Sequence, residues 1–186
     1  MRKGFYALGL LILSMLVLSF VACASPSSAG SGTIRVYVTD AVPAGVTAVE
    51  IKASDVQVHK AGDADGQWIT VLASPPLFDL VKATGVNVLL GTSNLTAGNC
   101  TQVRLNITDV KVTIAGKQVQ ATVPSTELKL VGNITIEEGK QTSVSLDFDG
   151  NKSVVLEGQD RVSLKPVAKL VVGQPGATLA TPTATP

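Results

Sequence analysis

The chain has 186 residues, with 15 Lys and Arg against 14 Asp and Glu, for a formal net charge of +1. That length fits one ordinary domain with trimmings, since domains usually run to roughly 100–200 residues, and a second domain is not expected. Removal of residues 1–22 would take away Arg2 and Lys3, leaving 15 − 2 = 13 basic residues against the 14 acidic ones, or −1. Nucleic acid is thereby excluded as a partner, because phosphate binding needs a dense basic surface that this balance does not supply.

The first element in chain order is a targeting signal. Arg2 and Lys3 form a positive n-region, and Phe5 to Val21 form an apolar h-region without an acidic residue. The segment runs into Phe20-Val21-Ala22-Cys23, which resembles a bacterial lipobox, where a small residue precedes a Cys that takes a diacylglycerol and becomes the new N-terminus. Phe20 stands where that motif usually has Leu. Two alternatives stay open: cleavage after Ala24, because Ala22-Cys23-Ala24 also satisfies the small-x-small rule, and an uncleaved anchor, since about 17 apolar residues approach the length that spans a bilayer. All three place the remaining chain outside the cytoplasm. The expected organisation is a lipoprotein signal peptide over 1–22, a flexible Gly/Ser-rich tether over 23–32 beginning at the lipidated Cys23, one domain over 33–172, and a Thr/Pro-rich disordered tail over 173–186. Only Cys23 and Cys100 exist. A lipidated Cys23 cannot pair, so Cys100 reads as a small buried hydrophobe.

From residue 33 the signal is alternation with period 2, which sets one face of a strand on a core. Ile34, Val36 and Val38 point one way, with Arg35, Tyr37 and Thr39 opposite. The apolar set is odd over Val49, Ile51 and Ala53 but even at Val56 and Val58, so a bulge is expected near Ser54-Asp55. Further strands are predicted over 67–73, 101–108, 110–115 and a partner carrying Val119, Ala121 and Val123, with a hairpin turn at Ala115-Gly116. Later candidates are 128–131, 133–137, 142–148, 153–157 and 162–172, with turn chemistry at Glu138-Gly139-Lys140 and Asp149-Gly150-Asn151. Residues 78–90 are the ambiguous stretch, readable as a short helix or a crossing loop. Regularly spaced short strands, rich in Val, Leu and Ile, define the fold class: an all-β, antiparallel β-sandwich, prealbumin-like or Ig-like, with room for one short helix.

Several stretches occur in a characteristic order: VYVTDAVPAGVTAVEIKASDVQVHKAG, GQWITVL, FDL at 78–80, LLG at 89–91, LTAGNCTQVRL from Leu95 to Leu105, and SLDFDGNKSVVLEG. Together they resemble the domain-of-unknown-function 4382 family, over roughly residues 32–172. The resemblance implies an extracytoplasmic protein or lipoprotein of bacteria or archaea, with a carbohydrate-binding-like or prealbumin-like sandwich. It carries no catalytic residue onto this chain, and fold likeness does not establish function.

Candidate chemistry is sparse. Asp147 and Asp149 flank Phe148 at a strand end, and with Asn151 they could hold Ca²⁺, which favours hard oxygen ligands; the Gly falls at the fourth position of that run, so it is no EF-hand loop. The plainer reading is strand-end carboxylates taking turn hydrogen bonds. Asp63-Ala64-Asp65-Gly66 and Asp40 read as turn-formers, Asp40 also as a place where loops of one sandwich end gather polar groups. His59 is the only histidine and reads as a solvated strand residue. Trp68 and Tyr37 fall on the polar parity of their strands, where each could offer an aromatic platform to a sugar ring. There is no G-x-S-x-G, H-E-x-x-H, P-loop or C-x-x-C motif, so no enzyme is expected. Two functions follow as expectations: a membrane-tethered binding module for glycans or envelope components, with contacts from loops at one sandwich end, or an assembly protein engaging other envelope proteins. The first should present Trp68 or Tyr37 on an exposed face, the second an apolar patch or an open edge strand.

Overall fold

The computed structural model describes residues 30–41, 45–62, 66–157 and 161–173. The signal segment, Cys23, most of the tether, Asp63 to Asp65 and the tail beyond Gly173 lie outside the described residues. Among the described residues no helix is long and apolar enough to cross a membrane.

Two main sheets face each other. Strand β1 (Ser31–Thr39) pairs antiparallel with β5 (Val88–Thr96) and parallel with β9 (Gln141–Phe148); β12 (Ala168–Val172) closes this sheet antiparallel to β9, giving the order β12-β9-β1-β5. The second sheet is built on β2 (Val46–Lys60) and β6 (Gly98–Ile114), which pair along most of their length. Around them lie β3 (Gln67–Ala73) and β4 (Phe78–Asp79) on β2, and β7 (Lys117–Gln120) and β8 (Glu127–Ile136) on β6. A small ribbon of β10 (Val154–Leu156) and β11 (Val162–Leu164) follows the helical turn α1 (Gly150–Ser153).

The alternation dictates this sandwich. Ile34, Val36 and Val38 of β1 are wholly buried, as are Val144 and Leu146 of β9, against Ile51, Val56 and Val58 of β2. The parity change in β2 is real: the register against β6 shifts between Ala53 and Asp55, and Val56 and Val58 stay in the core. A second shift, opposite Lys52 and Ala53, lets Ile107 and Val110 both face inward, so the segments read apart as 101–108 and 110–115 form one continuous β6. Another near Gly132 fuses 128–131 with 133–137 into β8.

Residues 78–90 contain no helix; the two-residue β4 pairs with β2, and residues 80–87 then cross to the other sheet, where β5 begins beside β1. The one described helix lies instead at Gly150–Ser153, where only turn chemistry was expected, because the Asp149 side chain accepts from the Lys152 N–H and caps it. The single strand expected over 162–172 is two strands. Pro166 lacks the N–H that a ladder needs, and Lys165-Pro166-Val167 separates β11 from β12.

Candidate functional site

Strand β1 is followed directly by Asp40, which is only 5 % exposed. Its backbone is fixed by a bond from its N–H to the Ala83 carbonyl at 3.2 Å and by one from the Gly85 N–H to its own carbonyl at 3.4 Å. Oδ1 of its carboxyl accepts from the Gly150 N–H at 2.8 Å, while the buried Oδ2 has no partner among the described residues. Burial pushes the carboxyl up to about 6, with Asp149 and Asp147 adding to the rise and the N–H groups of Ala41 and Gly150 opposing it.

Gly150 is what allows this approach. A Cβ there would lie 2.7 Å from Asp40 Oδ2 and 2.9 Å from the Ala41 carbonyl oxygen. Neither neighbour is the loose end of a flexible chain, so Gly150→Ala is expected to cost about 1–3 kcal/mol through overpacking. Thermal unfolding of the variant checks this, and an unchanged midpoint would show that the junction yields.

Outside that junction a cleft of about 610 Å³ opens, lined by Asp147, Asp149, Asn151, Lys152 and Lys169, with Phe148 at its apolar side. Asp149 pairs with Lys152 at 2.6 Å and Asp147 with Lys169 at 2.9 Å. The Lys152 hydrogen bond holds the Asp149 carboxyl below the usual range, and the bond to Asp147 raises the Lys169 ammonium. Asp147, Asp149 and Asn151 all line this cleft. Each carboxylate, however, already faces a lysine, and among the described residues no group of three or more His, Cys, Asp or Glu is placed to hold a metal ion. The arrangement is that of a mixed-charge hydrogen-bonding rim.

The cleft opens at one end of the outer face of the four-stranded sheet. In register across β1 and β9, Thr39 lies beside Asp147, Tyr37 beside Ser145, and Arg35 beside Ser143, so Tyr37 stands one same-face position from the rim. Ser143 and Ser145 are small and buried, and Ser145 Oγ donates to Asn87 Oδ1 at 2.9 Å. Leu89, opposite Tyr37 on β5, and Val171, opposite Ser145 on β12, are 47 % and 43 % exposed. Among the described residues the Tyr37 hydroxyl has no hydrogen-bond partner.

Trp68 is elsewhere. It sits opposite His59 on the outer face of the other sheet, with Arg104 4.1 Å from its ring centroid, Lys129 at 5.7 Å and the His59 ring edge-on at 5.1 Å. Arg104 in turn donates to Gln57 and pairs with Glu127 at 2.9 Å. His59 is tied down through Nδ1 to Thr101 Oγ1 at 3.0 Å. Trp68 and Tyr37 therefore cannot serve one ligand site, and the tryptophan ring is engaged by its own strand neighbours. Cys100 is buried, and burial pushes its thiol up, which suits a core residue.

Sequence reasoning passed over Arg35, Lys152 and Lys169. Arg35 was visible in the alternation as an outward neighbour of Tyr37, but the lysines reach the cleft only through the α1 turn and the β9–β12 pairing, which no periodicity reports.

Fold and cleft together define an all-β sandwich domain with a polar pocket at the end of one outer sheet face. The model of the family described as Domain of unknown function (DUF4382) matches residues 31–166, and the chain belongs to that family. No curated protein matches it. Among solved structures, the chain is similar to a provisionally described cell adhesion protein from Bacteroides eggerthii, at 13 % identity and a TM-score of 0.31. That alignment takes in 75 % of this chain and 56 % of the other, so the chain spans little more than half the length of that protein.

Proposed function

We propose that this protein is an exported, non-catalytic binding module, tethered to a membrane by lipid on Cys23, that takes a glycan on the outer face of its four-stranded sheet. The observation that carries the reading is the placement of the 610 Å³ cleft, through Asp147, two residues along β9 from Ser145, the neighbour of Tyr37 on the same sheet. Sugars are recognised by an aromatic surface for the ring together with charged and amide groups for its hydroxyls. Tyr37 supplies the first; Asp147, Asn151, Lys152 and Lys169 supply the second. The non-catalytic part of the reading rests on the sequence, which carries no G-x-S-x-G, H-E-x-x-H, P-loop or C-x-x-C motif. Localisation and anchoring rest on the segment from Arg2 to Cys23.

Thermal unfolding of the full chain in detergent, against a panel of soluble polysaccharides and Ca²⁺, tests it, because a ligand bound only by the folded state raises stability. One glycan class is expected to raise the midpoint, with the shift lost in Tyr37→Ala and kept in Trp68→Ala. A shift with Ca²⁺ alone would redirect attention to Asp147, Asp149 and Asn151. The anchor is tested by the mass of the mature N-terminus: a lipid-bearing Cys23, absent in Cys23→Ser, is expected, and an unmodified start at Ser25 would refute it.

A second reading, an assembly protein engaging other envelope proteins, is favoured by one observation. Val131 on β8 is 79 % exposed, and Val171 and Val172 on the neighbouring β12 are 43 % and 41 % exposed. Absence of any glycan shift would make that edge the surface to pursue by cross-linking.

A further inference from the structure

Building on the glycan reading, we infer that the ligand is a carboxylated sugar chain, a uronate polymer, whose acid group is taken by Arg35. Arg35 lies on the outer face of β1, two residues before Tyr37 and beside the small Ser143 of β9. Same-face neighbours along a strand are about 6.6 Å apart, so the guanidinium and the phenol ring stand side by side, within the span of one sugar residue and its carboxyl group. Arg35 is half-buried, yet among the described residues it has no hydrogen bond and no ion pair, and its Nε is buried without a partner.

That is unusual for an arginine on a sheet. Arg104, on the opposite outer face, is held by Gln57 and Glu127. The neighbours of Arg35 on its own face are neutral: Thr33 and Asn94 bond to each other, Thr92 lies across on β5, and Ser143 across on β9. The nearest acid in register is Asp147, four residues along β9 from Ser143 or about 13 Å away, and it is bound to Lys169. A buried donor without a partner costs stability. The ligand would be met by the two Nη groups, which among the described residues are neither bonded nor closed off and which offer a carboxylate two parallel N–H donors. The face therefore lacks one thing, an anion with a carboxylate's geometry next to an aromatic ring, and a uronate residue presents both a ring and that group.

The test is binding of the full chain, in detergent, to polygalacturonate, alginate and hyaluronate, each beside its own carboxyl-reduced, neutral form. One acidic polymer is expected to bind on the order of tenfold more tightly than its reduced form, with the difference shrinking as salt rises. Arg35→Gln is expected to equalise the two forms while leaving the residual, Tyr37-dependent binding, and Arg35→Lys to restore part of the preference. Equal binding of acidic and reduced polymers by the unaltered chain overturns the inference and leaves the glycan reading intact. Preference retained in Arg35→Gln also overturns it, placing the acid elsewhere. Absence of binding to every polymer, reduced forms included, overturns both. If Arg35→Gln fails to fold, Arg35→Lys carries the test, since a preference there as strong as in the unaltered chain overturns the inference.

Discussion

Replacing Phe148 by alanine is expected to cost about 3–5 kcal/mol, the usual penalty for emptying a fully buried aromatic site, and to lower the unfolding midpoint by roughly 10–15 °C. Phe148 is 2 % exposed, lies 6.4 Å from Phe78 between ring centroids, and ends β9 between Asp147 and Asp149. Its ring packs in the core while its backbone carries both rim carboxylates: the Asp149 N–H donates to the Val167 carbonyl at 2.9 Å, and Phe148 pairs with Ala168. A collapse into the vacated space should therefore displace the cleft as well. Chemical denaturation measures the first effect and, on the proposed glycan reading, polysaccharide affinity the second. Phe148→Leu, which keeps most of the volume, should lose about 1 kcal/mol and retain binding. A loss below 1 kcal/mol in the alanine variant would mean that the strand end relaxes freely.

Asp40→Asn is expected to stabilise the protein at pH 7–8, by about 1–3 kcal/mol. Burial raises the folded carboxyl from its ordinary 3.8 to about 6, so the folded state holds a proton that the unfolded state gives up. The sign follows from that difference. The group's contribution is most favourable below about pH 4, where both states are protonated; it is lost progressively as pH rises from there through 6, by roughly 3 kcal/mol in all. An amide is neutral at every pH and should escape the penalty, though it accepts less strongly from the Gly150 N–H, which trims the gain. Unfolding curves of both proteins from pH 4 to 8 should converge at the acid end, separate between about 4 and 6, and keep a constant gap above that. Parallel curves would show that Asp40 is ionised without penalty in its buried place.

Much of the fold could be read from parity alone. Ile34, Val36 and Val38 announced both a strand and its inner face, and the even-odd switch in β2 announced a bulge before any partner strand was known. Faces are local properties, encoded residue by residue; partners are not. Nothing in the alternation says that β1 runs parallel to β9, and β5 escaped notice because Gly91 and the register shift beside Val36 and Tyr37 break its pattern. Bulges also explain why β6 and β8 looked divided, since each reverses the parity that marks a continuous strand.

The site was legible in part. Asp147, Asp149 and Asn151 were visible as a cluster because they are close in sequence. Their ion pairs were not, since Lys169 meets Asp147 only across a ladder. Tyr37 and Trp68 looked equivalent by parity, yet β1 sits mid-sheet beside small serines, whereas Trp68 lies opposite His59 and under Arg104. What distinguishes them is their neighbours on other strands, which composition and period do not record.

The pairing of β1 with β9 also bears on how the chain reaches its native state. The first strand finds one neighbour, β5, within the first half of the sequence, but Asp40 and Gly150 meet across 110 residues, and Thr33 to Thr39 wait for Gln141 to Asp147. Closing so long a loop delays the return from those contacts. A chain emerging N-terminus first thus keeps β1 open on one side until nearly the whole domain has appeared. Its folding is held to the end of its own delivery, a kinetic property written into the order of its strands.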